Sequence, residues 1–157
     1  MEYSRCLRRA AALLLVVGLA ALSFAKEFTV EELKARVANA AIPDRPPLCI
    51  EIAEKQLAAA ERLYVAGDID RSHAALVEVT AFSELARDYA IQSHKHDKQS
   101  EISVRKMARK LENFKHTVAR EDQKQVQDTV DRLERVRDDL LAAMFPNGGK
   151  KLSLIHI

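Results

Sequence analysis

The sequence predicts an all-α protein: an antiparallel helical bundle of four long helices plus a short N-terminal helix, which follows a cleaved signal peptide. Apolar residues recur three and four positions apart in five successive segments, which is the spacing of one face of an α-helix. Residues 69–145 contain neither glycine nor proline, the residues that interrupt helices most strongly. We place one helical bundle domain at residues 26–145, a length that is sufficient for a modest core.

The first 25 residues have the pattern of a secretory signal. Residues 1–9 carry three arginines against one glutamate, and residues 10–24 carry no charge. A helix of fifteen residues rises about 22 Å, short of the roughly 30 Å hydrocarbon core, so an uncleaved membrane anchor is the less favoured alternative. Ser23 and Ala25 place small side chains where signal peptidase needs them for a cut before Lys26. We therefore expect residues 1–25 to be removed and the mature protein to be periplasmic or extracellular.

Charge and cysteine content narrow the classes of partner. The whole chain has 25 basic and 23 acidic side chains, and three basic and one acidic side chain lie in the leader. The mature chain is therefore neutral, which gives no basis for a nucleic-acid partner. Cys49 is the only cysteine after the leader, so it cannot form an intramolecular disulfide. We interpret it as a small buried apolar side chain, with a disulfide-linked dimer or a reactive thiol as alternatives.

Helix boundaries are indicated by capping residues, prolines and a glycine. Thr29 with Glu32 forms a capping-box pair, which predicts the start of the first helix. Three prolines in residues 43–47 end it. The second helix is predicted to begin at Leu48 and to end at Gly67.

The third helix is predicted to follow at once, with Asp68 or Asp70 as its cap. Because the link is short, the second and third helices should be antiparallel neighbours. The predicted core positions are Leu33, Val37 and Ala40 or Ala41 in the first helix; Ile50, Ala53, Leu57, Ala60 and Tyr64 in the second; Ala75, Leu76, Val79, Phe82, Leu85, Ala86, Tyr89 and Ile91 in the third; Val104, Met107, Leu111, Phe114 and Val118 in the fourth; and Val126, Val130, Leu133, Val136, Leu140 and Met144 in the fifth.

Two polar stretches, Gln92–Ser100 and Ala119–Gln125, separate the last three helical segments. They are either turns of an antiparallel bundle or parts of long fused rods, which would have to dimerise as a coiled coil to cover their apolar faces. Residues 95–120 carry a net charge of +5, between segments 26–94 and 121–145 that carry −4 and −3. This alternation favours the compact bundle, although each exposed ion pair contributes only about 0 to 1 kcal/mol.

The C-terminal residues do not continue the helical pattern. Pro146 and the glycine pair at 148 and 149 end the fifth helix, and we expect residues 146–157 to form a disordered tail. The last six residues, 152–157, resemble translated sequencing-adapter sequence. We therefore expect that they are not part of the natural protein, whose own C-terminus would then be missing. The alternative is a short apolar tail that docks on the bundle.

His94 and His96, followed by Asp97, are the candidate metal ligands, because imidazole and carboxylate bind zinc, copper or nickel. Residues two apart on a helix point about 200° away from each other, so both histidines could share one ion only in a loop. A solvated polar turn is the favoured alternative.

The fourth segment contains two further candidate ligand sets. Glu112 and His116 share one helical face, but the Glu-x-x-His pattern of di-iron bundles is absent from the sequence. Met107 could bind haem iron, yet a methionine that lies on a stripe with Leu111 and Phe114 is more often part of the core. We favour a surface contact for the first set and the core for the second.

The glycine content argues against an enzyme. Of the four glycines, one lies in the leader, two lie in the tail and Gly67 closes a hairpin, so no phosphate-binding or nucleophile-elbow loop can be built. The carboxylates alternate with lysine and arginine on helix surfaces, as is typical of solvated faces. We therefore predict a protein that is not an enzyme and has no cofactor.

The fourth segment is cationic and amphipathic. Its basic side chains are Arg105, Lys106, Arg109, Lys110 and Lys115. Such a helix could lie on an anionic membrane surface or on an envelope polymer. The favoured alternative is that its apolar face packs inside the bundle.

Taken together, the sequence predicts an exported, non-enzymatic helical-bundle protein of the bacterial cell envelope that acts in binding or scaffolding. Its expected partner is a protein, either a second copy or another envelope component, so an oligomer is compatible with the sequence. The alternatives are a metal- or haem-binding bundle and a chaperone-like or membrane-surface module.

Overall fold

The structure is a computed structural model that describes residues 27–146. In this range 83% of the residues are helical and none is in a strand, which confirms the predicted class. The helices are α1 (Val30–Asn39), α2 (Arg45–Val65), α3 (Ile69–Ser93), α4 (Asp97–Lys115) and α5 (Gln123–Met144), with a short 3₁₀ helix at Ile42–Asp44. No helix in this range is long and apolar enough to cross a membrane. The predicted signal peptide and, except for Pro146, the predicted tail lie outside the described residues.

Helix α1 begins with the predicted capping box. The Thr29 hydroxyl accepts a hydrogen bond from the Glu32 N–H at 3.2 Å, and the Thr29 N–H donates to the Glu32 carboxylate at 2.9 Å. Leu33 and Val37 are buried against α2. Lys34 reaches α3, where its ammonium lies 2.9 Å from Glu78.

The proline cluster ends α1 as predicted, but α2 begins three residues before the predicted Leu48. Pro46 and Pro47 lie in the first turn of α2, where a helix does not need the backbone N–H that proline lacks. The Arg45 guanidinium donates to the Ala40 carbonyl at 3.0 Å, which closes the corner between α1 and α2.

The link between α2 and α3 is the predicted glycine turn. Gly67 has φ +81°, and the Asp68 N–H donates to the Leu63 carbonyl at 2.9 Å, the bond of a Schellman motif. The Asp68 carboxylate accepts from the Arg71 N–H at 3.3 Å, so Asp68 rather than Asp70 is the cap of α3.

Both polar stretches contain turns, so the rod alternative is wrong. The first turn is shorter than predicted, and the second has the predicted length but begins three residues earlier. Only His94–His96 separate α3 from α4, and residues 116–122 separate α4 from α5. The remaining polar residues, including Asp97 to Ser100, are helical. Polar side chains on the outer face of a helix have the same composition as a loop, so composition alone did not place the boundaries.

The four long helices pack as two hairpins. Helices α2 and α3 form one and α4 and α5 form the other, and the hairpins meet mainly where α3 packs on α5. The ion pairs between Glu84 and Arg132 and between Arg87 and Asp139 show that α3 and α5 run in the same direction. Helix α1 packs on α2 at the edge of the first hairpin.

Most predicted core positions are buried, and the exceptions lie mainly on α3. Leu85, a predicted core residue, is 37% exposed. Tyr64, Phe82, Tyr89, Ile91 and Met144 are only partly buried. Cys49 is fully buried, as predicted, and the prediction missed Ile52, which is also fully buried.

Candidate interaction surface

The predicted metal ligands lie together in the turn between α3 and α4. His94 and His96 are exposed and both have a left-handed backbone, with φ of 53° and 66°. Because this segment is a turn and not a helix, the two side chains are not forced to point in opposite directions, and they could share one ion. Within residues 27–146, however, no three His, Cys, Asp or Glu side chains are grouped so that they could hold a metal ion. The metal assignment of these two histidines stays a prediction.

The other candidate ligands on α4 are not brought together. Met107 is buried in the core with Leu111 and Phe114. Glu112 accepts a hydrogen bond from the Lys115 ammonium at 3.0 Å. His116 is exposed, one residue beyond the end of α4. This arrangement agrees with the core and surface interpretations of these residues.

The basic helix α4 presents only its cationic side to solvent. Val104, Met107 and Leu111 are buried, so the apolar face is covered by the bundle. Lys110 pairs with Glu61 of α2 at 2.7 Å. A membrane-surface role for the folded protein would therefore rest on charge alone.

A buried carboxylate joins α4 to α5. The Glu101 side chain is 8% exposed and lies between Arg105 at 3.5 Å and Arg137 at 3.4 Å. A buried carboxylate needs such partners, because an unpaired charge in the interior is strongly unfavourable. The spacing of apolar residues in α4 did not predict that Glu101 is buried, because its buried neighbours in the first turns of the helix are serines and not apolar residues.

The loop between α4 and α5 is attached to the α2–α3 hairpin by Tyr64. Its hydroxyl accepts from the Ala119 N–H at 2.7 Å and donates to the Asp122 carboxylate at 2.9 Å. The Ala119 N–H lowers the pKa of Tyr64, but burial and the Asp122 carboxylate raise it by more, so the net shift is upward. His73 Nε2 lies 3.2 Å from the second oxygen of Asp122, buried and not aligned for a hydrogen bond.

One face of α3 points away from the bundle and is apolar at its centre. We define the α3 stripe as Ala74, Val77, Ala81 and Leu85, which follow one another at helical spacing and are all exposed. Val77 is 53% exposed and Leu85 37%. The exposed acidic residues Asp70 and Asp88 continue the same face at either end.

Ion pairs border the α3 stripe on both sides. On the side of α1 and α2, Glu78 pairs with Lys34. On the side of α5, Arg132 donates two hydrogen bonds to one carboxylate oxygen of Glu84, at 2.8 and 3.1 Å. A groove of about 410 Å³ lies beside Val77 on this second side, and its walls carry charged residues of α5. The stripe is therefore an apolar strip between two charged borders.

No family model, no curated protein and no solved structure matches this chain. The sequence prediction missed the α3 stripe because it assigned Leu85 to the core and left Val77 without a role. The available signal was that α3 carries apolar residues on more than one face, which indicates a helix covered on several sides.

Proposed function

We propose that this chain is an exported, non-enzymatic helical-bundle protein of the bacterial cell envelope that binds another protein through the α3 stripe. The observation that carries the proposal is the row of four exposed apolar side chains on a helix whose opposite face is already buried. Contiguous apolar surface on a soluble protein is typical of a binding site. Single exposed apolar residues, such as Val65, are ordinary and carry no such meaning.

The shape of the surface favours a helical partner. Side chains three and four positions apart form a straight strip along α3, which suits the i, i+3, i+4 contacts of another helix. Ala74 and Ala81 are small enough to let a partner backbone approach closely. Covering the remaining exposed parts of Val77 and Leu85 would contribute roughly 1 kcal/mol each.

The proposed location rests on the leader at residues 1–25. Expression of the full chain in a bacterium with an envelope, followed by fractionation and N-terminal sequencing, tests it. We expect a mature protein that begins at Lys26 outside the cytoplasm. Retention of the intact leader in the cytoplasm would contradict this part of the proposal.

Binding is tested with a photo-crosslinking amino acid placed at Val77 in the full chain, in the organism's own cell envelope. The matched control carries the same group at Val65, which is 88% exposed but lies outside the stripe. We expect a discrete protein adduct from position 77, lost when Leu85→Asp is added, and no such adduct from position 65. Equal adducts from both positions, or none from position 77, would overturn the proposed function.

A further inference from the structure

The contact between His73 and Asp122 is an attraction between opposite charges only when the imidazole is protonated. His73 Nε2 lies 3.2 Å from Asp122 Oδ1, and the two side chains are 32% and 13% exposed, so water screens the pair only in part. Nε2 itself is buried and has no hydrogen-bond partner among the described residues. In the neutral ring this nitrogen either turns a lone pair to the carboxylate, which is repulsive, or carries a proton that is not aligned for a hydrogen bond. A protonated ring attracts the carboxylate by charge, which depends much less on alignment.

Asp122 occupies a position from which its carboxylate could cap a helix. It is the N-cap residue of α5, yet its side chain makes no capping hydrogen bond. The carboxylate is turned instead towards the α2–α3 hairpin, where its other oxygen accepts from the Tyr64 hydroxyl at 2.9 Å. An N-cap aspartate normally has an extended backbone and accepts from the N–H two or three residues later, whereas Asp122 has a helical ψ of −15°. The carboxylate therefore has two competing uses, and capping α5 requires the loop backbone to rotate at Asp122.

We propose that His73 and Asp122 form a pH-sensitive latch that selects between these two uses. The protonated ring holds Asp122, and with it the loop at residues 116–122, on the α2–α3 hairpin. Histidine side chains normally change charge between about pH 5 and pH 8, while carboxylates are charged throughout this range. The attraction is therefore present at the acidic end of the range and is lost as the pH rises, which frees the carboxylate to cap α5. The latch uses no residue of the α3 stripe, so it is independent of the proposed function.

The other charged groups near the latch do not take the place of Asp122. Tyr64 of α2 shares the carboxylate, but its pKa is shifted upward, so its hydroxyl keeps its proton over this range. Glu61 of α2 and Lys110 of α4 pair with each other. The charged or titratable residues next to the latch on α3, in the loop and on α5 are all exposed to water: Asp70, Arg71, His116, Arg120, Glu121 and Lys124. Asp122 is therefore the charge that the imidazole gains as a partner on protonation.

The test is the protection of two backbone amides against hydrogen exchange, measured by NMR on the purified protein and corrected for the intrinsic exchange rate at each pH. The Ala119 N–H donates to the Tyr64 hydroxyl, so it reports whether the loop is held on the hairpin. We expect its protection to fall about fivefold between about pH 5.5 and pH 8, with a midpoint that coincides with the titration of the His73 ring in the same spectra. The Gln125 N–H, three residues after Asp122, should gain protection over the same interval as the released carboxylate caps α5.

Three variants assign the pH dependence to the latch. His73→Gln keeps a polar side chain but no titrating charge, so protection at Ala119 should have its low value at both pH values. Asp122→Asn keeps an oxygen that can accept from the Tyr64 hydroxyl but removes the charge, and it should also abolish the pH dependence. His116→Gln makes the same substitution at an exposed histidine of the same loop, so this matched control should keep the fivefold change. Circular dichroism at both pH values shows that each variant is folded.

The latch is overturned if protection at Ala119 in the wild type is the same at both pH values. It is also overturned if the change persists in His73→Gln or in Asp122→Asn, because another group would then be titrating. Loss of the change in His116→Gln would assign it to that histidine instead. Unchanged protection at Gln125 would reject the exchange of the Asp122 carboxylate between its two uses.

Discussion

Leu76 and Leu85 have the same side chain on the same helix, but their environments differ. Leu76 is fully buried on the inner face of α3, whereas Leu85 is 37% exposed on the outer face of the same helix. Leu76→Ala removes buried methyl groups and leaves a cavity, so we expect a loss of about 2 to 5 kcal/mol in the free energy of unfolding. Leu85→Ala should cost less than about 1 kcal/mol.

Urea denaturation of the two variants, at concentrations where the chain is monomeric, measures this difference. Similar losses for both would mean that the outer face of α3 is covered within one molecule. This pair of residues also shows what the sequence could not decide. Helical spacing places both leucines on apolar faces, but α3 has two such faces, and only the arrangement of α2 and α5 determines which one is covered.

Cys49 is a second residue whose chemistry depends on its surroundings. It is fully buried, and burial raises the pKa of its thiol to about 11. The reactive species is the thiolate, so we expect very slow reaction with a thiol reagent at pH 8 in the native protein. The rate should rise to that of a free thiol in denaturant. Fast labelling of the native chain would contradict the buried position and revive the reactive-thiol alternative.

At the scale of elements, α2 and α3 end in the same way with different residues. Gly67 and His94 both have positive φ, and each is followed by an N–H that bonds back to a carbonyl five residues earlier, with donor-acceptor distances of 2.9 and 3.3 Å. This is the Schellman arrangement, in which glycine is the preferred residue. The sequence did not indicate where α3 ends, because His94, and not a glycine, adopts the left-handed conformation at that point.

Substitutions at His94 and Gly67 should change the stability in opposite directions. His94→Gly relieves the left-handed strain of a side-chain-bearing residue, so we expect a gain of about 0.5 to 1 kcal/mol. Gly67→Ala introduces that strain, and we expect a loss of about 1 kcal/mol, although a Cβ at this site would meet no atom within 4 Å. Thermal unfolding followed by circular dichroism measures both. A loss of stability in His94→Gly would indicate that the imidazole makes a contact worth more than the strain.

At the scale of the whole molecule, the sequence predicted the bundle but not which helices pack against one another. The alternation of acidic and basic segments favoured a compact arrangement, and the ion pair between Lys110 and Glu61 is one contact of the expected kind. Charge alternation does not say that α3 rather than α2 packs most closely on α5. That choice depends on how the apolar faces of the two hairpins fit, and fit is a property of three-dimensional shape that a one-dimensional pattern does not contain.

The junction at Tyr64 shows how the two hairpins are coupled beyond their apolar contact. Tyr64→Phe keeps the ring and its edge-to-face contact with Phe114, 5.6 Å between centroids, but removes the hydroxyl that the Ala119 N–H and the Asp122 carboxylate share. We expect amide exchange at Ala119 to accelerate roughly tenfold, because its N–H then loses its hydrogen-bond acceptor. Tyr89→Phe is the matched control, since its hydroxyl accepts from Arg45 at the other end of the same hairpin. Equal exchange at Ala119 in the wild type and in Tyr64→Phe would mean that burial of Val118, and not the hydroxyl, holds the loop against the first hairpin.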